Sequence, residues 1–423
     1  MNKHKLLLRA LLPSLLAFAG AQAARSAEGL SGTAANAVTT AAAGDLNEDQ
    51  ATPAQSTSTD QTAQTQTAPA QPGSTDSSGQ SPAQPPPQTP GTRYGNAGQN
   101  IPITAEGIPR PGVPIGATDV PTFNVLGRVK LHLTGYLQPR FTQQPGTNSA
   151  ISIKRARLVI DGSLHPKVDF FFQFDPTLSP ALLDAFINLK PSKELKFRVG
   201  QFKVGFSEES LIGDDLLIPV ERALVVNKFS PDRDISAQGR DLGAQVFGTL
   251  SAGKRTILDY WVGIFNGSGI YNIAQNHHKA LVGRVILHPI KGLNLGADYY
   301  DGKTGTSPAV LVTKQRADLE LGYSRGKFYS YGEYLFGRDG AIHRSGGYGL
   351  VAYRFIKQLD VFVRDEEYNA QHNKAHQTTR IYMAGLNYYP VKLLKFGADY
   401  GLQKDPVTGK FGSYALAQLQ AGW

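Results

Sequence analysis

The sequence predicts an all-β fold: a 16-stranded antiparallel transmembrane β-barrel, preceded by a signal peptide and a disordered Pro/Gln/Ser/Thr-rich segment. Three observations carry this. From residue 125 onward, short runs alternate apolar and polar side chains with period two, divided by turn residues. The connections between runs alternate between tight turns and longer polar links, the pattern of a barrel with short turns at one end. The last run, YALAQLQAGW, alternates to its end and stops on Trp423.

Composition agrees. The 423 residues include 45 Gly and 18 Tyr, which suit turns and strands and are poor material for helix bundles. No internal run approaches the roughly 18 apolar residues of a membrane-spanning helix. The absence of Cys excludes a disulfide scaffold, thiol catalysis and Cys-ligated metal.

The chain divides into three parts. Residues 1–23 have the form of a signal peptide: Lys3, Lys5 and Arg9, then LLPSLLAFAG, then the small residues Ala21 to Ala23. Residues 24–120, with stretches such as TPAQSTSTDQTAQTQTAPAQPGS, have almost nothing bulky to bury and are expected to be disordered. Residues 121–423 form the barrel. Setting aside the six basic and eight acidic residues of the first two parts leaves 37 basic and 26 acidic residues in the barrel, a net of +11.

Sixteen runs start near 128, 150, 168, 182, 195, 241, 255, 278, 293, 314, 328, 344, 359, 378, 394 and 412. The first, RVKLHLTGYLQPR, sets Val129, Leu131, Leu133 and Leu137 against Lys130, His132, Thr134, Tyr136, Gln138 and Arg140. VDFFFQFD sets Phe170, Phe172 and Phe174 against Asp169, Gln173 and Asp175, and LKFGADY sets Leu394, Phe396, Ala398 and Tyr400 against Lys395, Gly397 and Asp399. Tight turns fall at 165–167, 190–193, 251–254, 288–291, 324–327, 355–358 and 389–392. Longer links are expected at 141–150, 207–239, 266–277, 301–313, 336–343, 366–377 and 403–411, with a shorter one at 176–181. HPIKGLNLGADYYDGK and YPVKLLKFGADYGLQK repeat one another as equivalent hairpins. A terminal aromatic on an alternating last strand resembles the assembly signal of bacterial outer-membrane barrels, which argues against a soluble sandwich or propeller. The short turns and both ends of the chain are then expected on the periplasmic side.

Sixteen strands leave an aqueous bore, so the polar rows should face water inside. In LKFRVGQFKVGF, 195 to 206, Lys196 and Arg198 lie on that face. Lys203 joins them beyond a bulge at Gly200–Gln201, or sits at the mouth if the strand ends at Gly200. Arg155 and Arg157 in KRARLVIDG, Arg140 and Arg240 extend the basic set. Rings of Arg and Lys are the expected device of anion and phosphate pores. Asp161, Asp169, Asp175 and Asp184 share the segment, so pairing of these arginines is the competing reading. The link 207–239 carries Leu216, Leu217, Ile218, Val220, Leu224, Val225 and Val226. It is too apolar to hang in water and is expected to fold into the barrel, with Arg222 and Lys228 as constriction candidates; packing on a neighbouring subunit is the alternative.

KRARLVIDG, LLDAFINLK, FRVGQFKVGFSEESL, ERALVV and GRDLGAQVFG follow one another as in the phosphate-selective porins O and P, which the chain resembles most over 150–250. The resemblance implies a sixteen-stranded trimeric barrel with an inward third loop, an arginine-lined path, and passive uptake of phosphate or polyphosphate. Arg155, Arg157, Arg198 and Lys203 match motif positions. The acids Glu208, Glu209, Asp214 and Asp215, and the long polar tail, depart from the family pattern.

The sequence therefore points to small inorganic anions and outer-membrane lipid as partners, and the resemblance to two further copies of the chain, with no nucleic acid, cofactor or metal. A general-diffusion or carbohydrate porin is the alternative. An outer-membrane enzyme is the more distant one, because the nine His are scattered and no Ser/His/Asp order stands out.

Overall fold

The computed structural model describes residues 122–125, 129–235, 238–270, 278–307, 310–391 and 393–423. The expected signal peptide and disordered segment lie outside the described residues.

In chain order the strands are β1 (Thr122–Val125), β2 (Val129–Gln143), β3 (Ala150–His165), β4 (Val168–Phe174), β5 (Leu182–Leu189), β6 (Lys196–Lys203), β7 (Arg240–Ala252), β8 (Arg255–Phe265) and β9 (Ala280–Leu287). They continue with β10 (Leu293–Ser307), β11 (Val310–Arg325), β12 (Phe328–Asp339), β13 (Ile342–Ile356), β14 (Leu359–Asn369), β15 (Thr378–Val391), β16 (Leu394–Lys404) and β17 (Phe411–Gly422). Between β6 and β7 lie two short helices, α1 (Glu208–Leu211) and α2 (Leu224–Phe229).

From β2 to β17 each strand pairs antiparallel with its chain neighbour, and β17 returns to β2 through Ala415↔Gln143 to Gly422↔Tyr136. The sheet is thus a closed ring of sixteen strands, which leaves no unpaired edge in lipid. Strand β1 covers the remaining start of β2, from Thr122↔His132 to Val125↔Val129. Closure ends on two backbone bonds between Gly135 and Trp423, at 3.1 and 3.2 Å. A side chain at Gly135 would overlap the Trp423 indole, so glycine is required there by close approach.

Period-two patterning decides the two faces. On β14, Val361 and Val363 are exposed, while Phe362, Arg364 and Glu366 are buried inside. Exposed Leu, Ile and Val side chains such as Val199, Val262, Leu281 and Leu319 form the outer face. Tyr353, Phe355, Tyr388 and Trp423 near the turn end, and Tyr382, Tyr400 and Phe411 nearer the other, supply aromatic girdles.

Two expected loops are strand instead. Residues 301–307 pair with 310–313, and 336–339 with 342–343, as extensions of β10–β11 and β12–β13, with registers Gly302↔Lys314 and Arg338↔His343. Their polar residues read as loop by composition, but cross-strand pairing satisfies the backbone equally well. The expected bulge at Gly200 is also absent as a register slip. Pairing with β7 runs unbroken from Lys196↔Phe247 to Lys203↔Arg240. Gly200, at φ 135°, takes up the distortion, and Phe202, Val204 and Phe206 turn inward rather than back to lipid. Phe202 there meets Phe186 and Phe265, ring centroids 5.9 and 5.2 Å away.

Candidate functional site

The link between β6 and β7, residues 204–239, enters the barrel. Leu216, Leu217, Ile218, Val220, Val225, Val226 and Phe229 are all buried, each stabilising the inward state by about 1.5–3 kcal/mol over exposure. They pack with wall residues such as Tyr348, Leu350 and Phe362, and α2 rests on β12 to β14.

Hydrophobic burial would leave the loop's backbone dry and unsatisfied, which is costly. Wall side chains take up those groups. Lys395 donates to the Leu217 carbonyl at 2.5 Å and Asn387 to that of Ile218 at 2.7 Å. Asp399 accepts from the Val220 amide at 2.8 Å, and Glu366 from Leu224 at 2.5 Å. Opposite them, Asp298, Glu320 and Glu333 accept from the amides of Ser207, Glu208 and Glu209, at the start of α1, at 2.7, 3.0 and 2.8 Å. The loop is therefore tied to β2, β10–β12 and β14–β17 and crosses the bore. Because Lys395 is the second residue of β16, the loop reaches almost to the short-turn end.

One side of this crossing is basic. Asp214 lies among three arginines: Arg222, Arg157 at 2.7 Å and Arg155 at 3.2 Å. Arg157 also holds Asp175 at 3.0 Å and Gln238 at 2.7 Å. Arg140 binds Glu221 at 2.5 Å and the Val220 carbonyl at 2.9 Å. Arg240 holds Asp184 at 2.7 Å, and Arg233 donates to Ser210. Lys203 donates to the Leu211 and Ile212 carbonyls at 3.2 and 2.8 Å, so it neither lines a bulge nor sits at a mouth: it staples the loop. Five of these seven cations pair with the carboxylates Asp175, Asp184, Asp214 and Glu221. The Arg155 Nε, buried, has no acceptor among the described residues.

The field of this group acts on the loop's own ionisable side chains. Burial opposes ionisation of Asp214, yet Arg155, Arg222 and Arg157 hold it well below the usual carboxylate range. Burial and then Arg222 lower the proton affinity of Arg233. Asp215 behaves differently: burial pushes it up to about 6, against a backbone hydrogen bond, with Asp214 adding to the rise. Its folded value lies above the ordinary carboxylate, so its charge destabilises the fold at neutral pH and that cost disappears as pH falls through about 6. Below that point the basic group loses an opposing charge. The ratio of anion to cation permeability in planar bilayers is expected to rise between about pH 7.5 and pH 5. Asp215→Asn should abolish that pH response; an identical response in the variant would exclude Asp215 as its source.

The eight basic residues singled out in the sequence do not form one row. Arg140, Arg155, Arg157, Arg222 and Arg240 join the group around the loop, with Lys203 beneath it. Arg198 stands apart, its guanidinium 4.1 Å from the Phe186 ring centroid, 5.3 Å from those of Phe202 and Phe247, and 2.9 Å from Asn188. Lys196 lies over Phe247 at 5.6 Å, towards the short turns. Lys228 is exposed on α2.

Sequence reasoning missed the opposite wall. Arg284, Arg316 and Arg364 are fully buried, paired with Asp298 and Glu320, Asp234 and Asp339, and Glu209 and Glu366. The signal was legible: a lone Arg in ALVGRVIL, and Arg316, Asp318 and Glu320 alternating with Ala317, Leu319 and Leu321. The net +11 was also misassigned. Among the described residues the interior buries thirteen Arg and Lys against fifteen Asp and Glu. The excess sits partly on the short turns, where Lys167, Lys193, Lys254, Lys291, Lys327 and Lys357 are exposed. What distinguishes the interior is segregation. Strands β2–β8 bury six bases against two acids, and β9–β17 six against eight.

Comparison with known proteins places this architecture. A family described as phosphate-selective porin O and P matches residues 123–408. No individual curated protein matches the chain in sequence. The fold is similar to the anion-selective porin from Comamonas acidovorans, with a TM-score of 0.54 and 10% identity over 70% of this chain and 100% of that one. It is also similar to OmpT of Vibrio cholerae (TM-score 0.51, 9% identity, 72% of this chain, 100% of that one). OmpF of Salmonella typhi in complex with daunomycin follows (0.50, 12%, 72% and 100%). At these identities the likeness is one of fold. The family match, by contrast, spans well over half the chain and the whole of β2–β16: the protein is an outer-membrane porin and belongs to the phosphate-selective porin O and P family.

Proposed function

We propose that the barrel conducts small inorganic anions passively, with phosphate or polyphosphate as the favoured class, along the basic side of the bore. The observation that carries this reading is the convergence of Arg155, Arg157 and Arg222 on the single carboxylate of Asp214, with the Arg155 Nε–H left without an acceptor among the described residues. Guanidinium groups match phosphate oxygens bidentately. An oxyanion exchanging with Asp214 keeps the three arginines neutralised as it passes. Arg140 and Arg240 extend the path, and Arg198 and Lys196 lead towards the short-turn side. That side is periplasmic in this reading, with the N-terminal segment and the C-terminus. The functional unit is a homotrimer, made from a chain with a signal peptide at 1–23, a low-complexity segment at 24–120 and the porin domain at 121–423.

Planar-bilayer recording tests the proposal. Zero-current potentials in a chloride gradient should report anion preference, and added phosphate or pyrophosphate should reduce chloride conductance. Arg155→Gln should lower the anion-to-cation ratio roughly three- to tenfold, the effect of losing about 0.7–1.4 kcal/mol of attraction. A ratio near unity in wild type, insensitive to Arg155→Gln, would instead establish general diffusion. The near-balance of buried charge favours that second reading.

A further inference from the structure

The acidic wall holds a carboxylate, Asp318, that neither anchoring of the loop nor anion conduction uses. On three adjacent strands, Arg284, Asp298 and Asp318 stand directly opposite one another, with Glu320 and its own opposite residue Glu333 in the next inward row. Like charges directly opposed across strands are destabilising. All four carboxylates are buried, Asp318 to 1% exposure. Among the described residues, Arg284 is the one cation within ion-pair distance of Asp298 and Glu320, and it also binds Glu208 at 2.9 Å. Among the described residues neither oxygen of Asp318 has a hydrogen-bond partner, and Asp298 Oδ1 has none either. An ionised carboxylate left so in a dry interior is among the costliest groups a protein can hold.

One oxygen from each of Asp298, Asp318 and Glu320 lies within 4.8 Å of the others, a spread that a single cation bridges at about 2.3–2.6 Å per bond. We propose that these three residues form a divalent-cation site, with Ca²⁺ as the fitting ion. The donors are all carboxylate oxygens, with no imidazole or thiolate, which selects a hard ion. Ca²⁺ accepts a flexible, higher-coordinate oxygen shell, whereas Mg²⁺ demands a near-ideal octahedron and keeps several waters. The bound ion supplies the charge that Arg284 alone does not. It ties β10 to β11, and through the Ser207 and Glu208 amides held by Asp298 and Glu320 it steadies the start of the inward loop.

Tyr331 provides a reporter, since its hydroxyl lies 2.8 Å from Glu320 Oε2. Full-length protein stripped with chelator and titrated with Tb³⁺ should show saturable tyrosine-sensitised emission, near one ion per chain, displaced by Ca²⁺. Asp318→Asn should weaken the titration by at least about tenfold. No emission, or emission equal in wild type and Asp318→Asn, would overturn the site, the latter assigning it to surface carboxylates. Should the variant not fold, the wild type decides alone. Ca²⁺ at millimolar levels should raise its thermal unfolding temperature above that in chelator. No rise would mean that shared protons, not a metal, neutralise the wall.

Discussion

Asp214→Asn is expected to make the channel more anion-selective and less stable at once. Asp214 is fully buried and is the common partner of Arg155, Arg157 and Arg222. Removing its charge leaves three cations short of a counter-ion in a confined site. Breaking a buried ion pair by deleting one member costs about 3–5 kcal/mol, because the abandoned charge stays desolvated. Water entering the bore reduces this, so the lower end of the range applies. The variant should lose thermal stability in detergent, and its zero-current potential in a salt gradient should shift further towards the anion limit. The two readouts separate the roles. Lower stability with unchanged selectivity would mean that Asp214 only fastens the loop and that anions do not pass its arginines.

Replacing residues 208–235 by a short flexible linker is expected to raise single-channel conductance several-fold and to abolish most selectivity. The wall does not depend on the loop for closure. Strands β6 and β7 pair from Lys196↔Phe247 to Lys203↔Arg240, and β17 seals β2 independently. A ring of sixteen strands without an inner segment encloses an aqueous channel. Deletion removes Arg222 and Asp214 together and exposes Lys395, Asn387 and Asp399, which now satisfy loop backbone, to water. Folding of the deletion variant is checked by its resistance to heat in detergent. A correctly folded variant whose conductance is unchanged would show that the loop does not set the width of the path.

The barrel was legible in the sequence because its determinant is local. A strand with lipid on one side and water or protein on the other must alternate, and Val361, Phe362, Val363 and Arg364 can be assigned to faces without knowing any partner. The starts of β3, β4, β5, β8, β10 and β12 are found where periodicity sets them. The inward course of 204–239 was legible for a similar reason, since so apolar a stretch has few places to go. Where patterning met competition it failed. The polar residues 301–307 and 310–313 resemble a loop, yet continue as paired strand. Phe202, Val204 and Phe206 resemble lipid-facing residues, yet face one another's neighbours inside.

The sequence by itself determined the strand number, the two faces of most strands and the identity of the basic residues on β2, β3, β6 and β7. Only the tertiary structure decided which charges meet. Asp214 is 57 to 59 residues from Arg157 and Arg155 along the chain, and Asp298 and Glu333 face the loop from strands far beyond it. Alternation carries no information about registry across a closed ring, or about where a loop lands inside it. The total charge misled for the same reason: a sum over residues does not record that one wall is basic, the other acidic, and much of the excess outside on the turns.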